Sequence, residues 1–273
     1  MPPVSAALLE RLTSAHRRGE RLALVFDYDG TLTPLVAHPS LAHLDPALRD
    51  ALARLAATPR VTVGVVSGRG LDDLIGMVGL EGLSYGGSTG LELELAGERH
   101  IPAAALESRA LLDALRAASE ICLTAYPGAW VEHKPFGFTI HYRQLAPDRI
   151  EPLRTKVTDL LKPHATGLHV LDGPLAIEVV PAIDRDKGTA LRAIVATCGE
   201  PATVLYAGDA ANDALALATA AELGGIALGI GPEPPAAAVY RLPDPAALHG
   251  LLAALADQLD GSPMTSRPAG SWN

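Results

Sequence analysis

Short apolar runs rich in valine, leucine and isoleucine alternate along this chain with longer stretches whose apolar positions recur every three to four residues. "RLALVFDYD" (21–29) reads as a buried strand. "DPALRDALARLAAT" (45–58) reads as a helix capped by Asp45 and begun by Pro46. "VTVGVVSG" (61–68) is a second strand and "LDDLIGMVG" (71–79) a second helix. The alternation resumes with the helix "DKGTALRAIVATCG" (186–199), the strand "ATVLYAGD" (202–209) and the helix "ANDALALATAAELG" (211–224). The strand "GIALGIG" (225–231) and the helix "DPAALHGLLAALADQLD" (244–260) complete it. Apolar strands alternating with helices imply an α/β fold, a Rossmann-like doubly wound parallel sheet covered on both faces.

The middle of the chain departs from this rhythm. Residues 107–120 have a helical pattern, and "GAWVEHKP" and "GFTIHYRQL" read as two paired strands turning around Pro135–Gly137. "PDRIEPLRTKVTDLLKPH" is a helix, and "GLHVLDGP" with "LAIEVVP" reads as another hairpin. We therefore expect a discontinuous core, residues 1–103 and 184–260, interrupted by a small α+β insertion over 104–183. The tail, 261–273, is expected to be disordered.

Composition narrows the function classes. The chain has 273 residues, 48% of them hydrophobic and 19% charged, which suits a globular protein with a sizeable core. A net charge of -9 argues against non-specific nucleic-acid binding. No apolar run is long enough for a membrane span, and the N-terminal twenty residues read as an amphipathic helix rather than a signal peptide. The two cysteines, Cys122 and Cys198, match no metal or disulfide framework. A cytoplasmic location is the expectation.

In a doubly wound sheet ligands bind beyond the carboxyl ends of the strands, and the polar motifs fall there. The first strand ends in Asp27-Tyr28-Asp29-Gly30; residues two apart point the same way, so both carboxylates can share one face. Asp-Gly is also a common turn pair, so that signal alone is ambiguous. The second strand ends in Ser67-Gly68-Arg69, whose hydroxyl and N–H groups suit an anionic oxygen. Lys187 stands at a helix start, where a cation opposes the helix dipole and a phosphate would explain it. The strand 202–209 ends in Gly208-Asp209, followed by Asn212-Asp213. Carboxylates gathered this closely repel one another unless a cation sits among them, and Mg²⁺ is the natural candidate. A carboxylate beside bound phosphate can attack phosphorus, and a second one two residues on can serve as acid and base.

"DYDGT", "SGR", the lysine and "GDAAND" occur in the order and near the spacing of the haloacid dehalogenase-like phosphatases, which the chain resembles over nearly its whole length. The resemblance implies that Asp27 is the nucleophile and Asp29 the general acid/base. It implies that Ser67, Gly68 and Lys187 hold the phosphoryl group. Mg²⁺ would be held by Asp27, Asp209 and the backbone carbonyl of Asp29, with Asp213 supporting that shell. The insertion between "SGR" and the lysine resembles the second class of cap domain.

Within that superfamily the chain resembles the trehalose-6-phosphate phosphatase family, through "WVEHKPFGFTIHYR", "AIEVVPAIDRDKGTAL" and "SYGGSTGLELE". By this resemblance Glu132, Lys134 and Glu178 bind sugar hydroxyls, with His141 and Arg143 as further cap candidates, and Arg69 joins the substrate-binding set. Glu132 and Lys134 share one strand face, and Trp130 shares it too, an aromatic suited to a sugar ring. The chain departs from the trehalose pattern at Ala210 and Asn212 in the fourth motif and at Thr89 in "GGSTG". The implied partner is a small sugar phosphate, with possible functional pairing with a separate trehalose-6-phosphate synthase, and with no nucleic acid or membrane. A phosphatase of another glycosyl phosphate, such as glucosyl- or mannosyl-3-phosphoglycerate or sucrose 6-phosphate, a sugar phosphomutase, and a catalytically silent module remain open readings.

Overall fold

The computed structural model describes residues 4–36, 38–173, 175–200 and 202–260. The expected tail lies outside the described residues. In chain order the first elements are α1 (Val4–Arg17), β1 (Arg21–Phe26), α2 (Pro46–Ala57), β2 (Val61–Val66), α3 (Leu71–Val78), β3 (Ser84–Gly87), β4 (Glu92–Leu95) and β5 (Glu98–His100). Then come α4 (Ala103–Leu123), β6 (Trp130–Lys134), β7 (Gly137–His141), α5 (Pro147–Leu161), β8 (Leu168–Gly173) and β9 (Ala176–Pro181). The chain finishes with α6 (Lys187–Cys198), β10 (Ala202–Gly208), α7 (Ala214–Glu222), β11 (Ile226–Ile230), β12 (Tyr240–Leu242) and α8 (Pro245–Asp260).

Eight strands form one sheet in the order β12-β11-β10-β1-β2-β3-β4-β5. From β12 to β3 neighbours are parallel; β4 and β5 add an antiparallel edge. The period-two alternation of β1 explains the two layers. Leu22, Leu24 and Phe26 face a core built with α1, α2, α3 and α8, whereas Ala23 and Val25 face α6 and α7. Helices thus cover both faces, and both sides of the strand must be apolar.

The strand order reverses at β1. The chain moves to one side through β2 and β3 and to the other through β10, β11 and β12, which opens a crevice at the carboxyl ends of β1, β2 and β10. The β4–β5 hairpin and the short β12 were not read from sequence. The first had a signal, the alternation "LELEL" followed by Ala96-Gly97, both at positive φ, where the chain turns back.

Four strands form a second, antiparallel sheet in the order β6-β7-β9-β8. Phe138, Ile140, Ile177 and Val179 pack on one face against Leu112 and Leu115 of α4 and Leu153, Val157 and Leu161 of α5. The opposite face is polar and turns toward the crevice. Among the described residues no helix is long and apolar enough to cross a membrane.

Candidate active site

Immediately after β1 the alternation continues for three residues and then breaks. Asp27 and Asp29 line the cleft, while Tyr28 between them is fully buried and donates its hydroxyl to the Ala42 carbonyl at 2.7 Å. Gly30 follows at φ +91°, and a Cβ there would lie 2.2 Å from Asp209 Oδ2. Glycine is what lets this turn close against the end of β10. Asp29 is gripped by Arg69, which donates from Nε to Oδ2 and from a terminal nitrogen to Oδ1, both at 2.7 Å. Arg69 also donates to Asp73 and to the Pro39 carbonyl. Burial works against its charge, but the hydrogen bonds it donates to Asp29 and Asp73 outweigh that, and its pKa lies above the ordinary guanidinium value.

Ser67, at the end of β2, is buried, and its loop is fixed from below. Thr89 N–H donates to the Ser67 carbonyl and Ser88 N–H to the Arg69 carbonyl. The glycine-rich segment after β3 thereby holds the Ser67–Arg69 turn in place.

Lys187 is almost as deeply buried as Asp213, 1% exposed. Asp186 caps α6 by accepting from Thr189 N–H, so Lys187 takes the first helical position and points inward. Its Nζ donates to Asp27 Oδ1 at 2.6 Å and to Asp213 Oδ1 at 2.7 Å. Burial disfavours the ammonium, yet the two aspartates more than offset it and raise its pKa above the ordinary lysine value.

Asp213 is wholly buried and its carboxylate is fully used. Oδ1 accepts from Lys187 and from the Tyr206 hydroxyl, and Oδ2 accepts from the N–H groups of Asp209 and Ala210. It braces the loop that carries Asp209 and fixes Lys187. Burial, then the charge of Asp213, holds the Tyr206 hydroxyl well above its ordinary pKa, so it remains a donor. Tyr206→Phe should therefore cost about 1–3 kcal/mol, because a buried carboxylate loses a donor that water cannot replace. A urea midpoint unchanged from the parent would contradict this.

Asp27, Asp209 and Asp213 place carboxylate oxygens within 4.8 Å of one another. Three carboxylates face one ammonium, so the cluster is short of positive charge. Burial, against the pull of Lys187, pushes the Asp27 carboxyl well above its ordinary range; burial and then Asp213 push Asp209 up. An all-oxygen donor set with uncompensated negative charge fits a hard divalent cation such as Mg²⁺. Asp27 and Asp209 are the residues with capacity to ligate it, since Asp213 is already saturated.

The polar face of the second sheet completes the cleft. A cavity of about 360 Å³ is lined by Asp27, Asp29, Ser67, Arg69 and Asp209 on one side and by Glu132 and Lys134 on the other. Lys134 donates to Glu178 at 2.5 Å, and His141 Nε2 donates to Glu132 Oε2 at 2.7 Å. Trp130 stacks on His141 with ring centroids 4.3 Å apart. Glu132, Lys134, Glu178, His141 and Trp130 thus stand on one face, as strand parity requires. Arg143 does not join them; it is exposed in the turn after β7 and outside the cleft lining. The sequence reading missed Tyr206, Thr31, which donates to Asp209 at 3.2 Å, and Leu35, Val36 and Pro39, which wall the cleft. The tyrosine had a signal, a hydroxyl set among the apolar residues of "VLYAG" just before the Gly-Asp motif.

Comparison with known proteins follows the same line. Trehalose-phosphate phosphatases of Mycobacterium tuberculosis and Mycobacterium bovis are 38% identical over 196 residues, which is 70% of this chain and 49% of theirs. The chain spans about half the length of the curated relatives it matches. A stretch of an uncharacterized glycosyl hydrolase of M. tuberculosis is 39% identical over 206 residues, 71% of this chain and 15% of that protein. The solved C-terminal domain of a C. albicans trehalose-6-phosphate phosphatase superposes with TM-score 0.74 at 23% identity, over 91% of this chain and 97% of that one. A trehalose-6-phosphate phosphatase related protein superposes with TM-score 0.73 at 20% identity, over 86% and 97%. These two likenesses establish the shared fold. The sequence model of the trehalose-phosphatase family matches residues 25–227, from the strand that delivers Asp27 to the strand beyond Asp213, and the chain belongs to that family.

Proposed function

We propose that this chain is a Mg²⁺-dependent phosphatase that hydrolyses trehalose 6-phosphate to trehalose and inorganic phosphate. The observation that carries the reading is the shared cleft. Two carboxylates able to transfer a phosphoryl group face a row of acceptors and a lysine suited to sugar hydroxyls. In this reading residues 1–103 and 184–260 carry the chemistry, and 104–183 form a cap that reads the sugar.

The Asp27 carboxylate attacks phosphorus with the oxygen that Lys187 does not hold; Lys187 holds Oδ1 at 2.6 Å. The bond from phosphorus to the sugar oxygen breaks as Asp29, turned out of its ion pair with Arg69 and carrying a proton taken from solvent, gives that proton to the leaving oxygen. Trehalose leaves, and the phosphoryl group stays on Asp27 as an acyl phosphate. Asp29 then takes a proton from water, whose oxygen attacks phosphorus and restores Asp27. Ser67 and the N–H groups of the Gly68 turn hold the phosphoryl oxygens. Asp27, Asp209 and the Asp29 carbonyl would hold Mg²⁺, which would supply positive charge to offset the charge building on those oxygens. A separate trehalose-6-phosphate synthase would be the functional partner.

Phosphate release from a panel of sugar phosphates, with Mg²⁺ and with EDTA, tests the reading. The panel holds trehalose 6-phosphate, sucrose 6-phosphate, glucose 6-phosphate, glucosyl-3-phosphoglycerate and mannose 1-phosphate. Mg²⁺-dependent preference for trehalose 6-phosphate is expected. Preference for another member would keep the chemistry and overturn the substrate. Glu178→Ala should lower kcat/KM on the disaccharide at least tenfold more than on para-nitrophenyl phosphate, on the order of one charged hydrogen bond. Equal losses on both would remove Glu178 from the sugar site.

A further inference from the structure

Thr139 sits at the middle of β7, and its side chain is 5% exposed. Register places it directly between Glu132 of β6 and Glu178 of β9, on the face that turns toward the cleft. Its neighbours in the chain, Phe138 and Ile140, point the other way into the apolar layer under α4 and α5. Among the described residues Thr139 Oγ1 is the one buried side-chain polar atom with no hydrogen-bond partner. Its flanking carboxylates are engaged elsewhere, Glu132 with His141 and Glu178 with Lys134.

A hydroxyl in that condition is costly, since burial has removed its water and nothing has replaced it. Valine has the same shape and would avoid the cost, so stability alone gives no reason for a hydroxyl here. The unmet donor and acceptor stand in the centre of the row that, in the reading above, accepts sugar hydroxyls. We propose that Thr139 is a specificity-determining residue of the sugar site. Its hydroxyl is completed by a hydroxyl of the substrate's glycosyl unit when the Glu132 and Glu178 side chains turn from their present partners toward the ligand. The inference rests on the proposed function and deepens it. It adds a neutral donor–acceptor on the polar face of the cap sheet, between two carboxylates that can only accept. A site built this way discriminates strongly against analogues lacking the matching hydroxyl, because rejection leaves its own buried group unpaired.

Thr139→Val and Thr139→Ser test this. The valine variant should melt at the parent's temperature or above it, because the unpaired hydroxyl is gone. On trehalose 6-phosphate its KM should rise about tenfold, the equivalent of one hydrogen bond, with kcat within twofold of the parent. Its kinetics on para-nitrophenyl phosphate, which carries no sugar, should be unchanged. Thr139→Ser should restore the parent KM. An unchanged KM in the valine variant would overturn the proposal, and so would equal losses on both substrates. If the parent ignores trehalose 6-phosphate but hydrolyses another sugar phosphate of the panel, the substrate reading fails. The valine comparison made on that substrate then decides the role of Thr139 independently.

Discussion

Asp27→Asn should reduce Mg²⁺-dependent phosphate release by on the order of 10⁴-fold or more, the scale on which removal of a catalytic nucleophile is felt elsewhere. The substitution is nearly isosteric and exchanges one carboxylate oxygen for an amide nitrogen. Asp27 is only 4% exposed, so shape matters there, and the amide fits. It cannot form an acyl phosphate. Folding should survive, because Lys187 keeps Asp213 as its partner and the crowded cluster loses one negative charge. A folded variant, by circular dichroism and urea titration, that retains a tenth of parental turnover would remove Asp27 from the role of nucleophile.

Lys187→Met should have the largest effect on stability. Lys187 is the shared partner of two buried carboxylates, and removing one side of a buried ion pair typically costs about 3–5 kcal/mol. Met fills the volume, so the loss is electrostatic rather than a cavity. The sign of its pH dependence follows from burial. In the native state the carboxyl of Asp27 already lies above its ordinary range, with desolvation as the main cause. Without Lys187 it rises further, so the native protein binds a proton that the unfolded chain does not. Stability then falls as pH rises through that raised value, and the deficit is largest at neutral and alkaline pH. It shrinks as pH approaches the ordinary carboxylate range, where both states are protonated. Urea midpoints for parent and variant across pH 5 to 9, measured with EDTA present, check this. A deficit that grows on acidification would contradict it.

What could be read from the sequence divides along one physical line. Strand parity is local, so the shared face of Asp27 and Asp29, and of Glu132 and Lys134, followed from spacing alone. The Asp-Pro helix starts were legible for the same reason, and α2 begins at Pro46 with Asp45 capping it as expected. Partner choice is not local. Arg69 was placed with the substrate; in the structure it lines the cleft but spends its guanidinium on Asp29, Asp73 and the Pro39 carbonyl. Asp213 was given a supporting role, but nothing in "GDAAND" shows that four donors would fill its carboxylate. Two of those donors, Lys187 and Tyr206, come from other elements. Thr139 was invisible for a related reason. Its unmet hydroxyl is defined by what the two neighbouring strands fail to offer it.

The position of β1 has a consequence for synthesis on the ribosome. β1 lies in the middle of its sheet, between β2, which emerges soon after it, and β10, which begins at residue 202. While the intervening residues are being made, one edge of β1 has no strand beside it. That edge is a run of six residues of which five are fully buried in the finished protein, with unpaired backbone groups that can template wrong pairings. The second sheet, by contrast, pairs strands that are close in sequence and can assemble during this wait. The nascent chain therefore carries a sheet-forming insertion that is ready early and a half-built core that is not. Synonymous codons that slow translation between residues 26 and 202 should lower yield without altering the finished molecule.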